Sequence, residues 1–212
     1  GALSITATGA VAGEDGYGIA ATNFGTDLTI RTESVSGTSK GIFAKNYGLG
    51  ALSITSTGDV TGYSGEGIYA RNEGTGLRIT AAVVSGETDG IYARNNNTAS
   101  THLTISAAGV LGGFDGIDAR NYGTGDLSVT ATGLVTGTTG RGIYANNYSN
   151  SGGRLVIDVA AVTGATEGIV AVNRGTGDLS VTATGTVTGT GGDGVFALTK
   201  AQLVAHQQQF EE

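Results

Sequence analysis

The chain has 212 residues, of which 39 are glycine, and it contains no proline, cysteine, methionine or tryptophan. Its 18 acidic and 11 basic side chains give a formal net charge of -7, which argues against a phosphate-binding surface and so against nucleic acid as a partner. Without cysteine there is no disulfide and no thiolate metal site, and no apolar run approaches the roughly 18 residues of a membrane-spanning helix. We therefore expect no membrane insertion by this segment.

Three short motifs follow one another along the chain and then return in the same order. The first motif alternates apolar and polar residues, as in LSITATG from Leu3, and a period of two is typical of a β-strand. The second motif places a valine two residues before a glycine, as at Val11, and the third has the form GIYARN. The copies of the third motif begin at Gly18, Gly41, Gly67, Gly90, Gly116, Gly142, Gly168 and Gly194.

A repeat of about 25 residues buries too little apolar surface to fold alone, so consecutive copies must stack on one another. Strands that pair with their equivalents one coil away form parallel sheets, and the handedness preference of parallel crossovers predicts right-handed winding. The sequence therefore predicts an all-β fold over residues 1–198, a right-handed parallel β-helix (β-solenoid) with one coil for each of the eight repeats and three short strands in each coil.

Alternation within the third motif predicts which side chains enter the core. In GIYARN, Ile68, Ala70 and Asn72 should point inward, while Tyr69 and Arg71 should point outward. The inward asparagine recurs at the end of this strand, and we interpret the column as a structural ladder of stacked amides. The ladder comprises Asn23, Asn46, Asn72, Asn95, Asn121, Asn147 and Asn173. The glycines that flank the motif are expected at corners that need unusual backbone angles.

Residues 199–212 break the repeat. Thr199 can serve as an N-cap, and Leu203, Gln207 and Phe210 have helical spacing, so a short amphipathic C-terminal helix is expected. This segment would be a helical cap over the last coil or a tail added to the native sequence. The start in mid-repeat at Gly1 suggests a longer parent array, and open strand edges would permit end-to-end self-association.

The outward side of the third-motif strand is the candidate binding strip. Exposed aromatic rings beside cationic side chains make a plausible contact surface for sugar rings or an extended peptide. Tyr47, Tyr122 and Tyr148 at the adjoining bend would widen it. The alternative is that the aromatic rings stack between coils and stabilise the rod itself. The strip comprises Phe43, Tyr69, Tyr92, Tyr144, Phe196, Lys45, Arg71, Arg94 and Arg120.

The sequence contains few of the side chains that commonly act in catalysis. Only His102 and His206 supply an imidazole, and His102 is expected in a loop beside the start of a strand. Carboxylates recur before the third motif, but Lys40 and Arg141 interrupt the series, which favours solvated turn residues over a bound cation. These carboxylates are Asp15, Glu66, Asp89, Asp115, Glu167 and Asp193. We predict that the protein is not an enzyme and has no metal site and no cofactor.

The segment from Asp115 to Gly133, DGIDARNYGTGDLSVTATG, resembles the repeats of bacterial autotransporter passenger domains, and the resemblance covers about residues 1–198. It implies a secreted right-handed β-helix on the exterior face of a Gram-negative outer membrane, often with an adhesive role in virulence. A repeat resemblance identifies architecture better than activity, because one fold carries many functions.

Three functional hypotheses follow. The first is a surface-displayed β-helical stalk or adhesin segment, whose partner would be a glycan or protein on a host or neighbouring cell. The second is a carbohydrate-binding or carbohydrate-cleaving β-helix, similar to a polysaccharide lyase, that uses Asp118 with Arg94 and Arg120. The third is an inert designed or scaffold solenoid.

Overall fold

In the computed structural model, which describes residues 1–148 and 152–202, the chain winds into a parallel β-solenoid of about 8 coils. The described strands form two sheets, one of 12 strands and one of 8 strands. Every pairing is parallel and joins a strand to its equivalent one coil away, as in Ile68 opposite Ile91. The predicted fold class is confirmed, while the right-handed sense of the winding stays a prediction from the crossover preference.

Each of the first three coils and the last coil contains three strands, as the repeat predicts. Two short strands lie in the twelve-stranded sheet, and the third lies in the eight-stranded sheet. These strands are β1 (Leu3–Thr6), β2 (Val11–Gly13), β3 (Ile19–Asn23), β4 (Leu28–Thr32), β5 (Val35–Gly37), β6 (Ile42–Asn46), β7 (Leu52–Ser56), β8 (Val60–Gly62), β9 (Ile68–Asn72), β18 (Leu179–Ala183), β19 (Val187–Gly189) and β20 (Val195–Thr199).

The four central coils contain two strands each, so the prediction of three strands per coil is wrong for them. In these coils the first two motifs form one continuous strand. Glycines Gly109 and Gly133 within two of these strands coincide with register shifts, so the sheet absorbs them as irregularities rather than ending at them. The strands are β10 (Gly76–Gly86), β11 (Ile91–Asn95), β12 (His102–Gly112), β13 (Ile117–Asn121), β14 (Leu127–Gly137), β15 (Ile143–Asn147), β16 (Leu155–Gly164) and β17 (Ile169–Asn173).

Alternating burial confirms the predicted orientation of the third motif. In β9, Ile68, Ala70 and Asn72 are fully buried, whereas Tyr69 and Arg71 are partly exposed. The core is a continuous column of Ile, Leu, Val and Ala side chains that runs through the coils. Ala197 of β20 is exposed, because the described residues include no further coil that would cover it.

The inward asparagines form a continuous chain of hydrogen bonds at the bend after each third-motif strand. From Asn23 to Asn173, each Nδ2 donates to the Oδ1 of the next asparagine over 2.8 to 3.3 Å. Each Nδ2 also donates to a backbone carbonyl after the bend, as from Asn72 to Gly76 O at 3.0 Å. Thr199 stands opposite Asn173 in the last coil, and the ladder ends there. The amides therefore satisfy backbone groups that the turn leaves unpaired.

The recurring glycines are required by close packing between coils. No glycine in the described residues has a positive φ, so the prediction of unusual backbone angles at the corners is wrong. A Cβ on Gly90 would lie 2.3 Å from Val110 Cγ1 and 2.7 Å from the Gly116 carbonyl oxygen, both in the next coil. Gly194 holds the same position in the last coil, where the nearest described atom is 3.1 Å away. The glycine column makes room for the valine column of the following coil.

The tail begins as the sequence predicts. Lys200 to Gln202 are helical, and Gln202 Oε1 accepts from the Thr199 backbone N–H at 2.9 Å and from its hydroxyl at 3.1 Å, which is the glutamine half of a capping box. Leu203, Gln207, Phe210 and His206 lie outside the described residues. Within residues 1–148 and 152–202, no helix is long and apolar enough to cross a membrane.

Candidate binding face

The outward side of the eight-stranded sheet, hereafter the outer face, carries the predicted strip. Parallel pairing places equivalent residues of successive coils opposite one another, so that Phe43 lies opposite Tyr69 and Tyr69 lies opposite Tyr92. The next positions in this column are Asp118 and Tyr144. The strip is therefore a set of axial columns, about 4.8 Å from one coil to the next.

The first aromatic stack lies in the N-terminal half of the outer face. Phe43 and Tyr69 have ring centroids 5.2 Å apart, and Tyr69 and Tyr92 have centroids 5.0 Å apart, with nearly parallel planes in both pairs. Tyr17 extends the stack onto Phe43 at 5.0 Å, although the strip predicted from sequence omits it. Tyr17 precedes its motif, whereas Ala20 occupies the aromatic position of the first coil. The small Ala20 next to the aromatic positions of the following three coils was the available signal.

Asp118 interrupts this column, so only three of the five predicted rings stack on one another. Tyr144 instead packs beneath arginines, with the Arg141 Cζ 4.1 Å and the Arg120 Cζ 5.2 Å from its ring centroid. Phe196 lies in the last coil and is 39% exposed. Val170 separates Phe196 from Tyr144 in the column.

A second aromatic column follows the bend beside the asparagine ladder. Phe24 and Tyr47 stack at 5.2 Å in the first two coils. Tyr122 and Tyr148 stack at 4.3 Å with planes 3° apart. These contacts place the three bend tyrosines beside the strip, where the sequence predicts them.

The cations of the strip have two kinds of partner, aromatic rings and carboxylates. Lys45 Nζ lies over the rings of Phe43 and Tyr69, at 4.8 and 5.7 Å. Arg71 donates from both Nε and Nη2 to Glu73 Oε1, at 2.9 and 2.7 Å. Arg94 has its Cζ 4.7 Å from the Tyr122 centroid. Each of these three cations therefore contacts an aromatic ring or a carboxylate on the same face.

Ring stacking limits what the outer face can bind. A sugar ring packs against a free aromatic face, but each face within a stack is covered by the next ring. The rings at the N-terminal end, Tyr17 and Phe24, are 42% and 79% exposed. Elsewhere in the stacks a ligand meets ring edges and hydroxyl groups. Stacking therefore stabilises the rod, and any ligand of the outer face contacts ring edges and hydroxyl groups rather than ring faces.

Carboxylates form a second feature at the start of the third-motif strands. Glu66 pairs with Lys40, and Asp115 pairs with Arg141, whose Nη2 lies 2.6 Å from Asp115 Oδ2. Asp89, between them, forms no ion pair within the described residues. Burial raises the pKa of Asp89 to about 6, and the negative charges of Asp115, Asp118 and Glu66 contribute to this increase.

In the first coil Tyr17, rather than Asp15, holds the position directly before the motif glycine. Asp15 lies two residues earlier in the turn, so the carboxylate series begins in the third coil at Glu66.

The described residues contain no group of three or more His, Cys, Asp or Glu side chains that could hold a metal ion.

Asp118 is the carboxylate of the lyase hypothesis. It is 4% exposed, and its Oδ1 and Oδ2 accept from Arg120 Nε and Nη2 at 2.8 and 2.7 Å. Burial raises the pKa of Asp118, although the hydrogen bond from Arg120 opposes that increase. Arg94 contacts Tyr122 instead. The three residues therefore do not converge on an open site.

His102 is the first residue of β12 and is exposed. Its Nδ1 lies 2.8 Å from the hydroxyl of Thr101. No carboxylate hydrogen bonds to this imidazole within the described ranges. The prediction placed His102 in a loop beside a strand start, whereas the strand begins at His102 itself.

Comparisons of this chain with protein-family models, with curated proteins and with solved structures find no match. The autotransporter resemblance therefore rests on the repeats themselves.

Proposed function

We propose that this chain is a rod-like segment of a secreted, surface-displayed adhesin of the autotransporter type, and that its outer face contacts the ligand. The observation that carries the proposal is an asymmetry between the sheets. The strands of the twelve-stranded sheet contain no phenylalanine or tyrosine, whereas the strands of the eight-stranded sheet carry five aromatic residues and three arginines on their outward side. Aromatic and arginine side chains are enriched where proteins bind partners.

The interior supports the rod component of this proposal. The apolar core, the asparagine ladder and the glycine–valine packing repeat along the axis without an interruption in the described coils. Eight coils at about 4.8 Å each give a rod on the order of 40 Å long. A rod of this length holds a ligand on its outer face at a distance from the surface to which the rod is attached.

The adhesive role is tested by binding of the purified protein to a panel of glycans and matrix proteins. A Tyr69→Ala/Tyr92→Ala variant removes two outer-face rings, and a Thr55→Ala/Thr80→Ala variant removes two outward side chains from the same coils of the other sheet. Circular dichroism checks that both variants fold. We expect the tyrosine variant alone to lose binding. Absence of binding by the native protein to every panel member would contradict adhesion and leave an inert stalk or scaffold.

We also propose that the chain is not an enzyme. Support comes from Asp118, whose two carboxylate oxygens are held by Arg120, and from His102, which has no carboxylate partner in the part of the chain described. Incubation with acidic polysaccharides should release no unsaturated products. Steady turnover that Asp118→Ala abolishes would overturn this proposal and favour the lyase hypothesis.

A further inference from the structure

Four side chains in the central coils form a run along the axis of the outer face, hereafter the arginine–tyrosine patch: Arg94, Tyr122, Tyr148 and Arg174. Arg94 Cζ lies 4.7 Å from the Tyr122 centroid, and Arg174 Cζ lies 5.2 Å from the Tyr148 centroid. The two rings stack at 4.3 Å between these guanidinium groups. The patch spans three coil spacings, about 14 Å.

The two arginines of the patch differ from most other cations of the outer face. Lys40, Arg71, Arg120 and Arg141 each form an ion pair with a carboxylate. Arg94 and Arg174 form none within the described residues, and each lies over a tyrosine ring instead. Contact with a ring uses none of the N–H donors of a guanidinium group, so these donors stay available for a ligand, except the Nε of Arg94, which is buried.

Most of the buried polar atoms that lack a hydrogen-bond partner lie at or beside the patch. In residues 1–148 and 152–202, the buried side-chain polar atoms without a partner are Thr32 Oγ1, Arg94 Nε, Asn96 Oδ1 and Asn146 Oδ1. Three of these four belong to the outer face at or next to the patch. Asn146 is 2% exposed, and its Nδ2 donates to the Tyr144 hydroxyl at 2.9 Å while its Oδ1 accepts nothing. Native proteins rarely leave such atoms unpaired away from functional sites.

The tyrosine hydroxyls add donors to the same surface. Burial raises the pKa of Tyr148, and hydrogen bonds with Tyr144 and Tyr122 raise it further. The Tyr148 hydroxyl therefore stays protonated under ordinary conditions and can donate. The faces of Tyr122 and Tyr148 are covered by each other and by the two arginines, so the patch offers edges, hydroxyls and guanidinium groups rather than a stacking platform.

We propose that the arginine–tyrosine patch binds an acidic polysaccharide, with Arg94 and Arg174 pairing with its carboxylate or sulfate groups. This inference rests on the proposed adhesive role of the outer face and names the ligand class. Guanidinium groups match the geometry of both acidic groups. Sugar hydroxyls supply donors for the unpartnered Asn96 and Asn146 oxygens, either directly after a side-chain rotation or through water.

An acidic peptide fits this surface less well. Extended peptides bind sheets mainly through main-chain hydrogen bonds at a free edge. The patch lies on β11 and on the bends that follow β13, β15 and β17, in the middle of a sheet whose strands are paired on both sides. A peptide here would contact side chains only. A polysaccharide presents hydroxyls and acidic groups together along its length.

The test measures binding of the native protein to four polymers: polygalacturonate, dextran sulfate, neutral dextran and poly-glutamate. An Arg94→Gln/Arg174→Gln variant removes the charges of the patch. An Arg31→Gln/Arg78→Gln variant removes two exposed arginines of the twelve-stranded sheet and has the same net charge. Circular dichroism establishes that both fold. We expect binding of one or both acidic polysaccharides to weaken by about tenfold or more in the patch variant only.

A Tyr122→Phe/Tyr148→Phe variant keeps the stacked rings and removes the hydroxyls, so it should weaken binding without changing the fold. Binding to polygalacturonate or to dextran sulfate distinguishes carboxylate from sulfate as the preferred group. If both arginine variants lose the same amount of binding, the effect comes from net charge alone and the proposal is overturned. Equally tight binding of poly-glutamate through the patch would replace the ligand class with an acidic peptide.

Failure of this inference differs from failure of the adhesive role. If the native protein binds neither acidic polysaccharide but binds a neutral glycan or a matrix protein, and if that binding needs Tyr69 and Tyr92, then the outer face is adhesive and the patch assignment is wrong. If the native protein binds no member of any panel, both proposals are overturned.

Discussion

Replacement of Asn72 by alanine tests whether the asparagine ladder stabilises the rod. Asn72 is fully buried and takes part in three side-chain hydrogen bonds. It accepts from Asn46 Nδ2 at 3.0 Å, and its own Nδ2 donates to Asn95 Oδ1 and to Gly76 O, both at 3.0 Å. Alanine leaves all three of these partners buried in the bend without their hydrogen bonds.

The size of the effect follows from those orphaned groups. A buried polar group that loses its partner costs about 1–3 kcal/mol. Asn46 keeps its bond to Gly50 O, and Gly76 stays within the β10 ladder, so these two losses are partial, whereas Asn95 Oδ1 loses its donor outright. We therefore expect Asn72→Ala to reduce the free energy of unfolding by about 3–5 kcal/mol.

Urea unfolding followed by circular dichroism measures this loss, with Asn23→Ala as the matched control. Asn23 lies at the end of the ladder and makes only one fully buried bond, to Asn46 Oδ1. Its backbone partners, Thr26 O, Asp27 O and the Gly25 N–H, are partly exposed and can bond to water instead, so its loss should be smaller, about 1–2 kcal/mol. Asn72→Asp should destabilise at least as much as alanine at neutral pH, because a carboxylate cannot donate to Gly76 O or Asn95 Oδ1. Equal effects at Asn72 and Asn23 would refute the idea of a coupled ladder.

Three further changes probe other parts of the structure. Gly90→Ala should destabilise the protein by about 1–3 kcal/mol through its clash with the next coil, whereas Gly194→Ala should be tolerated; thermal unfolding compares them. Because burial raises the pKa of Asp89 to about 6, the folded protein binds its proton more tightly than the unfolded chain, and ionisation destabilises the fold as the pH rises through 6. Asp89→Asn should therefore raise the free energy of unfolding at pH 8 by about 1–2 kcal/mol, a value reduced because Asp89 is partly exposed to solvent. The same substitution should have little effect at pH 4, and an equal gain at both pH values would contradict this reasoning. Arg120→Gln should destabilise by about 3 kcal/mol by leaving the Asp118 carboxylate buried without its cation, and a double variant with Asp118→Asn should recover much of that loss in urea titrations.

The interior could be predicted from the sequence because it depends on one rule that every coil obeys. Alternation places Ile68, Ala70 and Asn72 inside, and stacking repeats that placement in the next coil. The fusion of strands in the central coils could not be predicted in this way. Motif boundaries mark where a strand can end, whereas the register shifts near Gly109 and Gly133 let the strand continue.

The outer face could be predicted only as a set of columns, because outward side chains choose partners that alternation does not specify. Arg71 turns toward Glu73 within its own coil, whereas Arg94 reaches Tyr122 in the next. Arg71 and Arg94 occupy the same motif position, and the side chains at the following bend determine which partner each one contacts. A repeat therefore determines where a charge is displayed, and the local substitutions determine whether it is already neutralised. An arginine without an ion pair, such as Arg94, is for this reason the part of a regular rod where a specific ligand is expected.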